Sequence, residues 1–359
     1  MNFKKIISGI LLISIIITFL GCSRKTEVKE ETNIPIEVVE TEEEIVEVSY
    51  EGLAINPLTG LWIDEEAAKR RPVAVMINNI KVALPQSGIS QADIIYETLA
   101  EGNITRLVAV FQDFDAEKIG PIRSTRHYYL NFAFDHDAIF VHHGGSPQAF
   151  EAIKNLTPAN LNSLSYLESI MAWRDPVRSR KRGMYEHSLY TSAEGIMKAW
   201  ETVGYRSEPR GDLPSKLNFA EEEWIPTGEK AETVVVPFSK DYISTYQYDN
   251  DTQSYKRYQL NDAHIDENNN QQLEVKNLII QYANIRVIPG DTEGRRDIEL
   301  IGSGNGVYIT NGKAIPITWS KSAHNAPTQY RDANGNKLKL NKGKTWISIF
   351  PNNREIELQ

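Results

Sequence analysis

From residue 71 onward the chain alternates between short apolar runs and amphipathic stretches. RPVAVMINN (71–79) is an unbroken apolar run with polar ends and predicts a buried strand. ADIIYETLAEGNITRLVAVFQDF (92–114) holds two such runs joined through Glu101-Gly102-Asn103, the pattern of an antiparallel hairpin. GPIRSTRHYYLNF (120–132) reads as a helix entry. Pro121 takes the first position, and Ile122, Tyr129, Leu130, Ala133 and Phe134 fall on one side of a helical wheel. DAIFVHHGG (137–145) predicts a further strand, and SPQAFEAIKNL (146–156) a helix capped by Ser146. TSAEGIMKAWETVGY (191–205) predicts a helix with Thr191 and Glu194 as capping box and Ile196, Trp200 and Val203 along one face. Strand–helix alternation with a hairpin implies an α/β domain with a mixed sheet, placed at 51–215.

The period changes in the second half. AETVVVPFS, STYQYD, SYKRYQL, VKNLIIQYANIRVI, RDIELIG, GVYITNGKAIPITWS, PTQYRDANGNKLKLN and KTWISIFP are short, β-branched and aromatic, and turn residues such as Asn311-Gly312 and Asn334-Gly335 divide them. No helix of two turns is expected there. The pattern predicts an antiparallel β-rich domain over 225–359, after a Pro-, Gly- and charge-rich boundary at 206–223.

The amino terminus carries a different signal. Lys4 and Lys5 precede the apolar run Ile6 to Leu20, which is the layout of an export signal. That run is shorter than the ~20 residues a membrane-spanning helix needs. FLGC then resembles the lipobox of bacterial lipoproteins, which implies cleavage after residue 21, lipidation of Cys22 and anchoring of the chain to the extracytoplasmic face of the cell membrane. Cys22 is the only cysteine, so no intramolecular disulfide and no thiol nucleophile is available. Residues 22–50 carry nine acids and three bases without helical or alternating period, and are expected to form an acidic disordered tether. Removal of residues 1–21 leaves 37 basic and 48 acidic residues, a net charge of −11. Such a balance argues against nucleic acid as a partner.

Long stretches are similar to the YerB-like lipoprotein family. RPVAVMINN, LPQSGISQADIIYETLAEGNITRLVAVFQD, KIGPIRSTRHYYLNFAFDHDAIFVHHGGSPQA and HSLYTS resemble its N-terminal domain. GSGNGVYITNGKAIPITWSKSAHNAPTQYRDANGNKLKLNKGKTWISIFP resembles its C-terminal domain. The resemblance implies a two-domain lipoprotein of a Gram-positive cell envelope and carries no established reaction. Ser188 stands where the family pattern has Asn.

Three groups of residues are candidates for chemistry. Arg123 and Arg126 sit at the expected helix N-terminus, where the helix dipole disfavours cations. On the wheel they share the sheet-facing side, so each needs an anion: an internal one from Asp93, Glu97 or Glu101, or an external one. His142 and His143 end a strand before a glycine-rich turn and a helix start, a place where clefts and anion sites form. On a strand they point to opposite faces and chelate poorly, so no metal is expected. Arg174, Arg178, Arg180, Lys181 and Arg182 cluster in an otherwise acidic chain, and Arg174, Arg178 and His187 could join the first two arginines in a basic pocket. No G-x-S-x-G, H-E-x-x-H, Walker or dinucleotide pattern occurs, and no cofactor is expected. Trp319, Tyr330 and Trp346 are either core or an aromatic surface.

The expected function is therefore non-enzymatic: a binding or scaffold role with a basic anion- or peptide-binding site in the α/β domain. Cell-wall synthesis proteins or anionic wall polymers are the partners that the location implies. Two alternatives remain open, a wall-modifying hydrolase using a carboxylate such as Asp93 or Glu97, and a solute-binding lipoprotein.

Overall fold

The computed structural model describes residues 49–211 and 217–359. The export signal, Cys22 and the acidic tether before Ser49 lie outside the described residues, as does the segment 212–216. Among the described residues no helix is long and apolar enough to cross a membrane.

The elements that build the fold are, in chain order, β1 (Val73–Asn78), β2 (Ile94–Leu99), β3 (Thr105–Phe111), α1 (Leu130–Asp135), β4 (Ile139–His142), α2 (Pro147–Leu156), β5 (Asn160–Asn162), β6 (Ala172–Arg174), β7 (Leu189–Thr191) and α3 (Ala193–Val203). The second half adds β8 (Thr233–Ser239), β9 (Tyr242–Asp249), β10 (Ser254–Gln259), β11 (Asn277–Ala283), β12 (Gly302–Thr310), β13 (Lys313–Lys321) and β14 (Thr345–Pro351).

One sheet runs through both halves, in the order β13-β12-β11-β14-β2-β3-β1-β4-β5 with short strands at its β13 edge. The first half is a mixed sheet with helices, and the second is strand-rich and mainly antiparallel. The hairpins β2–β3 and β12–β13 form in the expected register, with Asn311-Gly312 turning the second. Within the second half, β14 is the exception to antiparallel pairing. It lies parallel to β11 on one side and to β2 on the other, with Trp346 level with Ile95. Every residue of β14 is buried, the continuous apolar pattern of a strand covered on both faces.

Alternation along β1 sorts its side chains to two cores. Val73, Val75 and Ile77 face one cluster, with Ile196 and Trp200 of α3 and Val234, Phe238 and Tyr246 of a second, antiparallel sheet built on β8, β9 and β10. Ala74 and Met76 face the other, with Leu130, Phe132 and Ala133 of α1. The large sheet is thus the middle layer. Trp319 and Tyr330 are buried cross-strand partners and Trp346 is fully buried, so all three are core.

Two local expectations are corrected. The chain after Pro121 is not helical. Its backbone pairs sideways: Ile122 N–H donates to Leu189 O (2.8 Å), Arg123 N–H to Met76 O (3.0 Å) and Thr125 N–H to Gly144 O (3.0 Å). A 3₁₀ turn follows at His127–Tyr129 and runs into α1. Neighbouring strands offer the backbone better partners than one helical turn, and the positive φ of +141° at Gly120 requires glycine, where a Cβ would also stand 2.7 Å from Ile122 N. At α3 the cap is Ser192, whose hydroxyl accepts from Gly195 N–H, while Thr191 ends β7 and donates to Met171 O. Ser146 caps α2 as expected, accepting from Ala149 N–H.

Candidate anion-binding face

With residues 121–126 extended, Arg123 and Arg126 leave on different sides. Arg126 turns inward. Its Nε and Nη2 donate to Glu101 Oε2 at 3.0 and 2.6 Å, and Nη1 to Thr125 O at 2.7 Å. Arg106, also buried, takes the other oxygen of Glu101. Burial pushes the Glu101 carboxyl up, but the two guanidinium groups outweigh it and hold the carboxyl down at about 2. Glu101, one of the internal acids weighed from the sequence, answers Arg126.

Arg123 turns outward. Its Nη2 meets Glu186 Oε2 at 2.7 Å and Nη1 donates to Glu186 O at 3.3 Å. Glu186 is mostly exposed, so this ion pair is weak and exchangeable. Asn78 Nδ2 donates to His187 Nδ1 at 2.8 Å, leaving the proton of the neutral ring on Nε2. Burial and Arg123 both lower the His187 pKa.

The antiparallel pair β6–β7 brings Arg174 to the same face, level with Leu189. Its guanidinium lies over the Tyr185 ring, 4.0 Å from the centroid, and Nη1 donates to Tyr185 O at 2.7 Å. Among the described residues no carboxylate lies within 4.0 Å of Arg174. His143 is the third wall. It hydrogen-bonds Ser163 Oγ at 3.0 Å, and burial, Arg174 and Arg123 lower its pKa. Exposed Tyr185 lies beneath Arg174, and exposed Leu164 packs on Gly144. Arg180, Lys181 and Arg182 are exposed on the loop between β6 and β7.

The structure brings some of the residues singled out from sequence together and separates others. Arg123, His143, Arg174 and His187 share one face. His142, on the opposite side of β4, is fully buried: Nδ1–H donates to Gly144 O at 2.8 Å and Nε2 faces Asn160 Oδ1 at 3.3 Å. Burial lowers its pKa, so it is a neutral structural group. Arg178 is buried as well. It donates to Ala83 O (2.9 Å) and Pro85 O (2.7 Å) and pairs with Glu267 at 3.2 Å, pinning the 83–85 turn. Tyr185 and Glu186, which the sequence reading passed over, complete the face. Their only signal was their place between the arginine run and His187.

The carboxylates considered for hydrolysis are placed differently. Glu97 is sealed in the core, where Asn79, Thr105, Ser244 and Arg257 donate to it. It has no open side to a substrate. Asp93 borders a cleft, but its two oxygens accept from Asn56 Nδ2 (2.9 Å) and Gln112 N–H (2.7 Å).

Comparison with known proteins gives consistent matches. The family models "Protein of unknown function (DUF3048) N-terminal domain" and "DUF3048 C-terminal domain" match residues 58–206 and 234–347. The chain is 35% identical over 298 residues to "Putative lipoprotein YerB" of Bacillus subtilis (strain 168), covering 82% of this chain and 86% of the relative. The crystal structure of the YerB protein from Bacillus subtilis superposes with a TM-score of 0.72 at 33% identity, covering 84% of this chain and 98% of that one.

Proposed function

This chain belongs to the DUF3048 family, and on that footing we propose that it is a lipoprotein, anchored through Cys22 on the extracytoplasmic face of the membrane, whose basic face binds an anionic partner. The carrying observation is Arg174. It is stacked on an exposed tyrosine, makes one hydrogen bond to a backbone carbonyl, has no carboxylate partner among the described residues, and stands beside Arg123, His143 and His187.

A planar guanidinium with free N–H groups suits a phosphate or carboxylate oxygen pair. Exposed Tyr185 adds apolar contact, so the occupant is an anionic polymer or an acidic peptide segment rather than a free ion. Glu186 is the group such an anion displaces from Arg123.

The test is binding of the full chain, by surface plasmon resonance, to a phosphodiester wall polymer and to a polyglutamate peptide. The two arms distinguish the source of the anion. Binding that weakens with salt and is lost on Arg123→Gln/Arg174→Gln, with an unchanged melting temperature, supports the reading. Binding to neither probe, or equal binding by the variant, removes it.

A further inference from the structure

A polar cleft lies at the start of β2 and shares no lining residue with the basic face. Its volume is about 720 Å³. Ile89, Ala92 and Ile95 from the first half and Leu273 and Val275 from the second form an apolar floor, and Lys344 enters from the chain just before β14. We propose that this cleft binds a small monocarboxylate with a compact apolar body, such as the free C-terminus of a short peptide, with Lys344 as its cationic anchor.

The argument begins with the hydrogen bonds of Lys344. Its side chain is partly buried where it lines the cleft, and an ammonium group has three N–H donors. One goes to Ser90 O. Among the described residues Lys344 has no other hydrogen bond and no carboxylate within 4.0 Å. A partly desolvated cation with two donors directed to the cleft gains from an anion that completes the set. Burial accordingly lowers the Lys344 pKa, with Asp93 and Asp266 opposing from a distance.

The nearby acids are already committed. Asp93 is held by Asn56 and Gln112 as described. Asp266 accepts from Gly88 N–H (2.9 Å) and Ser90 N–H (2.7 Å), shaping the loop that carries the Ser90 carbonyl. Lys256, the other cation of the cleft, is paired with Asp249 and stands 4.0 Å from Glu274. Of the two described lysines of the cleft, Lys344 is the open one.

Charge decides the class of ligand. Lys344 and Lys256 stand among Asp93, Asp249, Asp266 and Glu274, so a polyanion would meet several carboxylates at close range. One added negative charge beside Lys344 is tolerated, and a lone ammonium binds it as a point charge without the fork geometry that arginine would impose. The apolar floor then favours methyl-sized groups over a bare hydrophilic ion. This site stands on its own geometry and is independent of the basic face.

The experiment uses the full chain with N-acetyl-alanyl-alanine as probe and its C-terminal amide as control. Calorimetry should show the acid binding at least about tenfold tighter than the amide, and Lys344→Met should lose that difference. In the unsubstituted protein, acetylation of Lys344 read by mass spectrometry should slow several-fold with the acid and not with the amide. That second measurement holds even where the variant fails to fold. Equal binding of acid and amide, absence of binding at millimolar probe, or acetylation of Lys344 unaffected by the acid would overturn the proposal.

Discussion

Glu97 Oε2 and Arg257 Nη2 meet at 3.0 Å, and both side chains are closed to solvent. The pair crosses from β2 of the large sheet to β10 of the second sheet, and it is the centre of a polar network inside an otherwise apolar interface. Arg257 also donates to Ser244 Oγ at 2.8 Å and lies 4.3 Å from the Trp346 ring centroid. His264, kept neutral by burial and by Arg257, links Arg257 to Gln86.

Removing one member of this pair strands the other in low dielectric. Arg257→Leu should therefore cost about 3–5 kcal/mol of folding free energy, read from urea unfolding. A loss under about 1 kcal/mol would mean that water or a neighbouring group compensates Glu97.

Glu101 ties stability to acid pH. Its native pKa of about 2 lies below the usual 4.5, so the native state favours the carboxylate. The stabilisation is fully present above pH 4.5 and is lost as pH falls toward 2. The limiting size is about 3 kcal/mol. Glu101→Gln should remove this part of the acid dependence, and unfolding midpoints between pH 5 and pH 2 measure it.

Asp93 has the opposite sign. Burial raises its pKa to about 6, against the pull of Gln112 N–H, Asn56 and Lys344. The native state therefore favours the protonated form. This contribution is full below pH 3.8 and disappears as pH rises through 6. A carbon-detected NMR titration of the Asp93 carboxyl should show a midpoint near 6, and a midpoint below 4 would contradict the buried environment.

The two inward and outward arginines should separate cleanly. Arg126→Ala removes charge-assisted bonds to Glu101 and should destabilise by about 1.5–3 kcal/mol. Arg174→Gln removes a solvent-facing group and should shift stability by no more than about 0.5 kcal/mol while weakening anion binding. Thermal unfolding and binding measured on both variants check the contrast.

Much of the fold is legible locally. The β2–β3 and β12–β13 hairpins, the Ser146 cap and the buried strand β1 follow from apolar period, turn residues and capping hydroxyls acting within a few residues. The same period misleads at 120–129, where Met76, Leu189 and Gly144 capture the backbone from distant parts of the chain. His142 and His143 were rightly separated by strand alternation, but only packing shows which one is sealed.

The sequence by itself determined the alternation of strands and helices, the change to β structure in the second half, and the residue types available for anion binding. These depend on spacing, which a linear chain records. Tertiary structure decided that β14 joins β2 across 245 intervening residues, that Glu101 takes Arg126 while Glu186 covers Arg123, and that Lys344 has a single partner among the described residues. Those outcomes depend on which groups far apart in the chain come within hydrogen-bond reach, and on how much water burial removes from them.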